Sequence, residues 1–238
     1  MYTNKKETLT NKNIYESGEY LEKNSTWHVE DSLWKADQIH NILSKNKIES
    51  KTICEVGCGA GEILKQLSYK LLSVNFCGYE LSPQAYQLCK TRESKKVQYK
   101  NKNIFDDNIF FDTLLCIDVF EHVENYIGFI KALKTKADYK IFHIPLDISV
   151  LSVLRDAQIT TRQNVGHLHY FTRATALATL TDAGYKIIDS AFTTSFKDLP
   201  SKSIKSKIAK IPRKILYAIS PKLMVKLLGG CSLIVLAK

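Results

Sequence analysis

Short apolar runs alternate along this chain with stretches in which apolar residues recur every three or four positions. The first pattern predicts buried strands, and the second predicts helices that cover them. The predicted strands span residues 52–57, 74–80, 96–100, 112–118, 139–145, 185–192 and 231–237. The predicted helices span residues 61–72, 82–92, 120–136 and 173–183, the last of them capped by Thr172. Strands that alternate with helices at this spacing predict a parallel sheet.

A further helix is predicted before the first strand. Asp31 or Ser32 can cap this helix, which runs to about Lys45. Its apolar side is predicted to comprise Leu33, Trp34, Ile39, Ile42 and Leu43. Aromatic side chains in this part of the chain either form a lid over a bound ligand or pack inside the protein; they are Tyr15, Tyr20, Trp27 and Trp34. We therefore describe residues 1–48 as an N-terminal helical lid.

A glycine turn joins the first strand to its helix. Gly57, Gly59 and Gly61 follow the spacing G-x-G-x-G, and glycine allows backbone angles and a close ligand approach that a Cβ prevents. Glu55 precedes the turn, and position 62, where a dinucleotide-binding turn has its third glycine, is also Glu. An acid at a helix N-terminus disfavours a pyrophosphate and suits an ammonium group. The turn therefore favours S-adenosylmethionine over NAD.

Two later segments make the pattern more specific. Glu80 ends a predicted strand nineteen residues after Gly61, where a carboxylate can accept both hydroxyls of a ribose. Residues 111–123 read Phe-Asp-Thr-Leu-Leu-Cys-Ile-Asp-Val-Phe-Glu-His-Val, a strand that runs into a helix. With Glu-Val-Gly-Cys-Gly-Ala-Gly at 55–61 and Gly-Tyr-Glu-Leu-Ser at 78–82, this order resembles the class I S-adenosylmethionine-dependent methyltransferases over residues 50–195.

The resemblance implies an α/β fold with a Rossmann-like doubly wound sheet. The sheet would have seven strands, mostly parallel with the last strand antiparallel, and helices on both faces. The methyltransferase domain would span residues 49–196, and residues 229–238 would supply its final strand. The relatives that it points to act on small molecules, sugars, quinone precursors and lipid-linked glycans.

The same resemblance implies a cofactor site for S-adenosylmethionine. Its methionine part would lie against Glu55, Gly57, Gly59 and Gly61, and its ribose against Glu80. Leu81 would lie under the adenine. Asn103 and Ile104 stand where the family often has an acid followed by an apolar residue, which leaves open whether Asn103 or Asp106 accepts the bond from the adenine amino group.

At the end of the fourth strand, the resemblance places Asp118 and His122 facing the cofactor. The alternative for His122 is that it caps or packs its own helix.

The predicted substrate side lies between the fifth strand and Thr172. Residues 143–147 form the carboxyl end of a strand, where open α/β sheets collect ligands. A hydroxyl that is to be methylated benefits from a base that titrates near neutrality, which makes His143, His167 and His169 the candidates, with His167 first. In an extended segment, His167 and His169 would share one face. The alternative is that these histidines hold a loop by hydrogen bonds.

We expect no metal site. His167 and His169 could hold an ion with oxygen ligands from Glu121 and Asp147, but no third ligand follows at a spacing typical of metal sites.

Two motifs of nucleic-acid methyltransferases are absent from the sequence, which narrows the class of methyl acceptor. Strand four ends in Ile117-Asp-Val-Phe120 and lacks the Asn/Asp-Pro-Pro-Tyr/Phe motif of enzymes that methylate amino groups of nucleic acids. The chain also lacks the Pro-Cys pair that supplies the nucleophile for methylation of cytosine at C5. We therefore expect O-methylation of a small-molecule, sugar or lipid-linked acceptor, and we do not expect nucleic acid as a partner. The alternatives are a protein that binds S-adenosylmethionine without catalysis and a methyltransferase of nucleic acid.

Most of the net charge of +10 lies near the C-terminus. Residues 197–226 hold nine Lys or Arg against one acid, Asp198. Isoleucines recur there at helical spacing, at 204, 208, 211, 215 and 219, and Pro212 and Pro221 are each predicted to begin a short helix. We describe 197–228 as a basic amphipathic helical insertion. It either lies on an anionic membrane surface or packs its isoleucines on the domain, with nucleic acid as a third alternative.

Composition agrees with one catalytic domain, because 238 residues with 45% hydrophobic content can bury a full α/β core. The six cysteines lack paired metal spacing and are interpreted as reduced core residues. The polar N-terminus has no signal-peptide pattern, and no run approaches a membrane span. We expect a cytoplasmic protein, with peripheral attachment to the inner face of the membrane if the basic segment binds lipid.

Overall fold

The computed structural model describes residues 26–27, 29–200 and 204–238. Its centre is a seven-stranded sheet in the order β3-β2-β1-β4-β5-β7-β6. The strands are β1 Thr52–Val56, β2 Asn75–Tyr79, β3 Val97–Lys100, β4 Phe111–Ile117, β5 Ala137–Pro145, β6 Ile187–Thr193 and β7 Ser232–Ala237. The first five strands pair in parallel, whereas β7 runs antiparallel to both of its neighbours, β5 and β6. The predicted fold class is confirmed.

Ten α-helices connect or flank these strands in the part of the chain that the structure describes. They are α1 Ser32–Lys45, α2 Glu62–Lys70, α3 Pro83–Lys90, α4 Tyr126–Leu133, α5 Val150–Leu154, α6 Ala157–Val165, α7 Arg173–Asp182, α8 Ser195–Asp198, α9 Ile204–Ile219 and α10 Pro221–Leu228. Short 3₁₀ segments lie at Val29–Asp31, Ile104–Asp106, Phe120–His122 and Lys134–Lys136.

The core lies on both faces of the sheet because successive strand residues point to opposite sides. In β1, Ile53 joins one buried cluster, while Cys54 and Val56 join the other. The first cluster is covered by α1 and α2, and the second by α4, α7 and α10. All six cysteines are free, and five of them are buried.

The predicted helix at 120–136 is interrupted in the structure. Phe120–His122 forms a 3₁₀ turn, and α4 begins only at Tyr126. The reason is local, because the Asn125 side chain accepts a hydrogen bond from the Gly128 N–H at 3.0 Å and so starts a new helix. The break keeps Phe120 in the core, while the two residues after it stay at the end of β4.

Two helices form where the sequence predicted no regular element. The side chains of Ser149 and Ser152 each accept from the backbone N–H of the other, which starts α5. Gly166, at a φ of +80°, ends α6. These helices bring His167 back to the end of the sheet.

At the N-terminus, α1 begins at Ser32, and the preceding Asp31 makes no side-chain cap bond. Ile39, Ile42 and Leu43 are buried as predicted, but Leu33 is exposed, since Ala36 takes its place in the core. Tyr15 and Tyr20 lie outside the described residues.

The basic segment forms α9 and α10. The predicted helix start at Pro212 is wrong: α9 continues through this residue, whose ring is exposed, so the carbonyl that loses its N–H partner can turn to water. Pro221 does stand in the first turn of α10. Leu216 and Tyr217 pack toward the core, whereas the isoleucines that the structure describes here are exposed: Ile208, Ile211, Ile215 and Ile219.

Among the described residues, no helix has the length and apolar character needed to cross a bilayer.

Candidate functional site

The glycine turn after β1 forms the floor of the site. Gly57, Gly59 and Gly61 all have positive φ angles, +64°, +55° and +78°, which residues with a Cβ rarely adopt. A Cβ on Gly59 would approach the Trp27 ring to 2.7 Å. The N–H of Gly57 donates to the Tyr79 carbonyl at 2.8 Å, which holds the turn against the end of β2.

Glu55 lies directly below this turn. Its side chain is buried, and Oε2 has no hydrogen-bond partner among the described residues. Burial raises the pKa of Glu55 well above its usual range, and the attraction of Lys35 opposes the rise only in part. A ligand that carries a positive charge would supply the partner that this oxygen lacks.

Asp118 is the centre of an ion-pair network at the end of β4. Its backbone has a φ of +54°, and its carboxylate accepts from Lys35 Nζ at 2.8 Å and from His143 Nδ1 at 2.6 Å. Burial opposes ionisation here, but His143 and Lys35 outweigh it and hold the pKa of Asp118 well below its usual range. The other ring nitrogen of His143 contacts Thr193 Oγ1 at 2.9 Å. His143 is thus fixed on both sides.

Glu80 braces the turn from the end of β2. Its two carboxylate oxygens accept the N–H groups of Gly59 and Ser82, each at 2.8 Å. Burial raises its pKa, while these backbone bonds act in the opposite direction. Asn101 donates to the carbonyl of Glu80 at 2.8 Å and so fixes the same strand end.

The predicted adenine contacts lie apart from this network. Leu81 is 64% exposed, whereas Ile104, the first residue of the 3₁₀ turn Ile104–Asp106, is buried in the core. Asn103 is exposed, and its side-chain oxygen accepts from the Phe105 N–H at 3.1 Å. None of these three side chains lines the cavity described below.

Glu62 has a different role from the one that its position indicated. Arg92 donates to its carboxylate, and Gln66 donates to it at 2.7 Å. Although desolvation acts the other way, these bonds lower the pKa of Glu62. The charge of Glu62 is already paired. Glu55 rather than Glu62 is therefore the acid that can receive an ammonium group.

A cavity of about 440 Å³ opens above the turn. Glu55, Gly57 and Gly59 line one end and His122, His143 and His167 the other, with Asp118 between them. A second cavity of about 340 Å³ shares Pro145, Asp147, Thr161, Ser195 and Ser232 with the first. The two cavities therefore adjoin at the carboxyl end of β5.

The three histidines predicted as base candidates occupy different positions. His167 Nδ1 contacts Asp147 Oδ2 at 2.6 Å, and the ring faces the cavity. His169 Nε2 contacts the Val123 carbonyl at 2.9 Å, and its ring packs on Tyr126. His169 does not line either cavity, so the predicted shared face of His167 and His169 is not formed.

His122 takes the place beside His167 that was expected for His169. The two rings meet edge to face with centroids 4.8 Å apart. Burial and the neighbouring His167 lower the pKa of His122 to about 4. Glu121 is fully buried next to them, and its burial raises its pKa well above the usual range. Glu121, His122 and His167 each offer one ligand atom, and these atoms lie within 4.8 Å of one another, close enough to be considered for a metal ion.

Sequence reasoning missed several of the partners that fix these groups. Lys35 lies on α1, Thr193 at the end of β6 and Asn101 after β3, all far in sequence from the residues that they bind. A lysine or threonine in a predicted element gives no signal of its own. Only the folded sheet brings them to the same edge.

Comparisons with known proteins agree with this architecture. A family profile described as a methyltransferase domain matches residues 28–190. The magnesium protoporphyrin IX methyltransferase of Synechocystis PCC 6803, crystallised with bound SAH, superimposes with a TM-score of 0.64 at 15% identity, over 97% of this chain and 98% of that one.

Two further solved structures share the fold. The plantazolicin methyltransferase BpumL, in complex with a monoazolic desmethylPZN analogue and SAH, gives a TM-score of 0.55 at 16% identity over 93% of this chain and 87% of its own. The mycolic acid cyclopropane synthase CmaA1 gives 0.55 at 12% identity over 82% of each chain. A comparison with curated protein sequences gave no match.

Proposed function

The chain belongs to the methyltransferase domain family, and from this premise we propose that it transfers the methyl group of S-adenosylmethionine to an oxygen atom of a small-molecule, sugar or lipid-linked acceptor. Several proteins of the same fold were crystallised with the cofactor or with SAH, its demethylated product. The observation that carries the proposal for this chain is the buried Oε2 of Glu55, which has no partner among the described residues and lies in the cavity beside the glycine turn.

The residues present fit this cofactor. The ammonium group of its methionine part would meet Glu55 Oε2, and the positive φ angles of the glycine turn let the backbone approach the ligand. Glu80, held by the turn, stands at the strand end where nucleotide-binding sheets receive a ribose. When bound, the cofactor supplies the methyl group on a sulfonium.

The acceptor hydroxyl is activated at His167. Of the three base candidates, His143 is fixed between Asp118 and Thr193, and His169 lies outside the cavity. His167 also lines the cavity, and the Asp147 carboxylate orients it through Nδ1. Its Nε2 forms no hydrogen bond with the described residues, whereas both ring nitrogens of His143 are engaged. A carboxylate that accepts from Nδ1 turns Nε2 toward the opposite side, where the acceptor would lie.

Isothermal titration calorimetry with S-adenosylmethionine, SAH and NAD tests the proposal. We expect wild-type protein to bind the first two and not NAD. Glu55→Gln removes the charge at nearly constant shape and should weaken binding of both about 10- to 100-fold, as expected for loss of a charge-assisted hydrogen bond. Gly59→Val should abolish binding, because its Cβ would meet Trp27.

The matched control is Glu49→Gln, the same chemical change at an exposed residue. Its affinities should equal those of wild type. Binding of NAD, or no binding of S-adenosylmethionine and SAH to the wild type, would overturn the proposal. Binding without methyl transfer to any hydroxyl or nucleic-acid acceptor would favour the non-catalytic alternative.

A lipid-linked acceptor is favoured by the surface of α9 and α10. We call it the basic amphipathic surface and define it by its exposed side chains: Ile208, Ile211, Ile215, Ile219, Leu223, Leu227, Lys207, Lys214, Lys222 and Lys226. These four isoleucines are 57–75% exposed, which supports contact with a membrane over packing on the domain. Apolar side chains flanked by lysines fit an anionic bilayer, to which each lysine near it contributes about 1 kcal/mol.

The position of this surface relates it to the site. Helix α5 packs against α10, and three of its own apolar side chains, Val150, Val153 and Leu154, are more than half exposed. The second cavity is lined by Leu151 of α5, Arg213 of α9 and Leu228 of α10. An acceptor anchored in the bilayer would thus enter the site through the helices that contact the lipid.

A further inference from the structure

One group of side chains beside the acceptor end of the cavity has chemistry that methyl transfer alone does not require. Glu121 and His122 lie in the 3₁₀ turn after β4, and His167 follows the end of α6. The fold brings the three together, and one ligand atom from each lies within 4.8 Å of the others. They come from two segments more than forty residues apart.

Glu121 gives the strongest indication. Its side chain is fully buried, and neither of its carboxylate oxygens has a hydrogen-bond partner among the described residues. Its backbone carbonyl, by contrast, accepts the N–H groups of Leu168 and His169 at 2.8 and 3.1 Å, so the residue is held firmly in place. Buried carboxylates are normally paired or coordinate a metal.

The two histidines are oriented as metal ligands usually are. Asp147 and the Gly166 carbonyl can only accept hydrogen bonds, so they receive the Nδ1–H of His167 at 2.6 Å and of His122 at 3.2 Å. Both rings then carry the lone pair on Nε2. An oxygen acceptor on the second ring nitrogen is the usual support of a metal-binding histidine, because it fixes the ring and its tautomer.

The ligand set indicates the class of ion. Two imidazole nitrogens and one carboxylate suit a divalent transition metal, whereas calcium and magnesium prefer oxygen ligands throughout. Three protein ligands leave further positions for a substrate, as in catalytic rather than structural sites. His122 and His167 line the cavity, so those positions would be reached from the acceptor side.

We propose that Glu121, His122 and His167 bind one divalent transition-metal ion that activates the methyl acceptor. This inference rests on the proposed function and specifies how His167 acts in it. The acceptor hydroxyl coordinates the ion and loses its proton to water. The alkoxide oxygen then forms the bond to the methyl carbon as the bond from that carbon to the sulfonium sulfur breaks, which leaves SAH and the methyl ether.

The test measures metal binding directly on the full chain. Protein stripped with a chelator is titrated with Zn²⁺ and with Mn²⁺ by calorimetry, and the bound metal is counted by mass spectrometry after dialysis. We expect one ion per wild-type chain. Glu121→Gln and His167→Ala should each bind it at least about 100-fold more weakly, whereas His40→Ala, on α1 and outside the cluster, should match wild type.

SAH affinity and circular dichroism of every variant separate this inference from folding defects and from the proposed function. Zn²⁺ should raise the melting temperature of the wild type and leave that of Glu121→Gln unchanged, even if the substitution shifts the starting value. Normal SAH binding with no metal bound by the wild type, or with equal metal affinity in the Glu121→Gln variant, would overturn the metal site and leave the methyltransferase proposal standing. Failure of SAH to bind would count against that proposal instead.

Discussion

At the scale of single residues, the two acids of the cavity, Asp118 and Glu55, differ in their charged partners. Asp118 is ionised because Lys35 and His143 both contact it, and its left-handed backbone aims it into the site. Among the residues that the structure describes, Glu55, one strand away, has only the more distant attraction of Lys35. Strained backbone and unpaired acids concentrate at functional sites, where a ligand can complete the contacts.

The role proposed for His167 allows catalysis to be tested separately from cofactor binding. We expect His167→Ala to lower the rate of methyl transfer about 100-fold or more, because the acceptor hydroxyl loses the group that activates it, while SAH affinity stays within a factor of two or so. Asp147→Asn should have a smaller effect of the same kind, since it only releases the ring. The measurement is SAH release in the presence of a hydroxyl acceptor.

His143→Ala and His169→Ala show whether the right histidine was chosen. Loss of turnover in His143→Ala but not in His167→Ala would contradict the assignment. Loss in neither variant would point to an acceptor that is already ionised.

The sequence predicted several residues of the site but not the residues that contact them in the folded protein. Glu55, Gly57, Gly59, Asp118 and His122 all line one cavity, because the turn and the end of β4 are local features that a sequence displays. The pairing of His167 with His122 instead of His169 depends on α5 and α6, whose apolar side chains are largely exposed and so show no core periodicity. Contacts made through unpredicted elements cannot be read from spacing.

At the scale of elements, α7 shows how strongly a local signal can fix a helix start. The hydroxyl of Thr172 accepts the Thr175 N–H at 3.2 Å, and the Thr175 hydroxyl faces the Thr172 N–H at 2.9 Å. The sequence predicted Thr172 as the cap, which is confirmed; the reciprocal bond with Thr175 was not predicted. The helix boundaries that were wrong, at 120 and at Pro212, lacked such a pair.

Removal of this cap should cost measurable stability. We expect Thr172→Ala to lower the free energy of unfolding by about 1 kcal/mol, which corresponds to a melting temperature roughly 2–4 °C lower for a chain of this size. Thr181→Ala on the same helix is the matched control: its hydroxyl donates to the Leu177 carbonyl and caps nothing at the N-terminus. Its change should stay within about 0.5 kcal/mol. Equal losses in the two variants would show that the cap adds nothing.

At the scale of the whole molecule, positive charge is concentrated in residues 197–226. The basic amphipathic surface should bring the protein to anionic vesicles, and binding should fall as salt rises, because the attraction is screened. Sedimentation with vesicles of phosphatidylglycerol and phosphatidylcholine measures it. Replacing the four exposed lysines of this surface by glutamate, at 207, 214, 222 and 226, should leave the protein in the supernatant.

The control carries the same total charge change elsewhere, with glutamate at the exposed lysines 47, 51, 95 and 131. This control should sediment nearly as well as wild type if vesicle binding depends on the position of the lysines and not on the net charge of the protein. Equal sedimentation of the wild type with purely neutral vesicles, or none with either kind, would contradict the membrane proposal. Ile211→Ser with Ile215→Ser tests the apolar contribution, since these side chains are 57% and 59% exposed.

The placement of the aromatic residues has a spectroscopic consequence. The chain has two tryptophans, Trp27 and Trp34, and both line the cavity above the glycine turn. Trp27 lies against Gly59, and Trp34 meets the His143 ring edge to face at 6.2 Å. Intrinsic tryptophan emission of this protein therefore originates entirely at this cavity, where we propose that the cofactor binds, so occupancy can be followed by fluorescence in the unlabelled, unmodified chain.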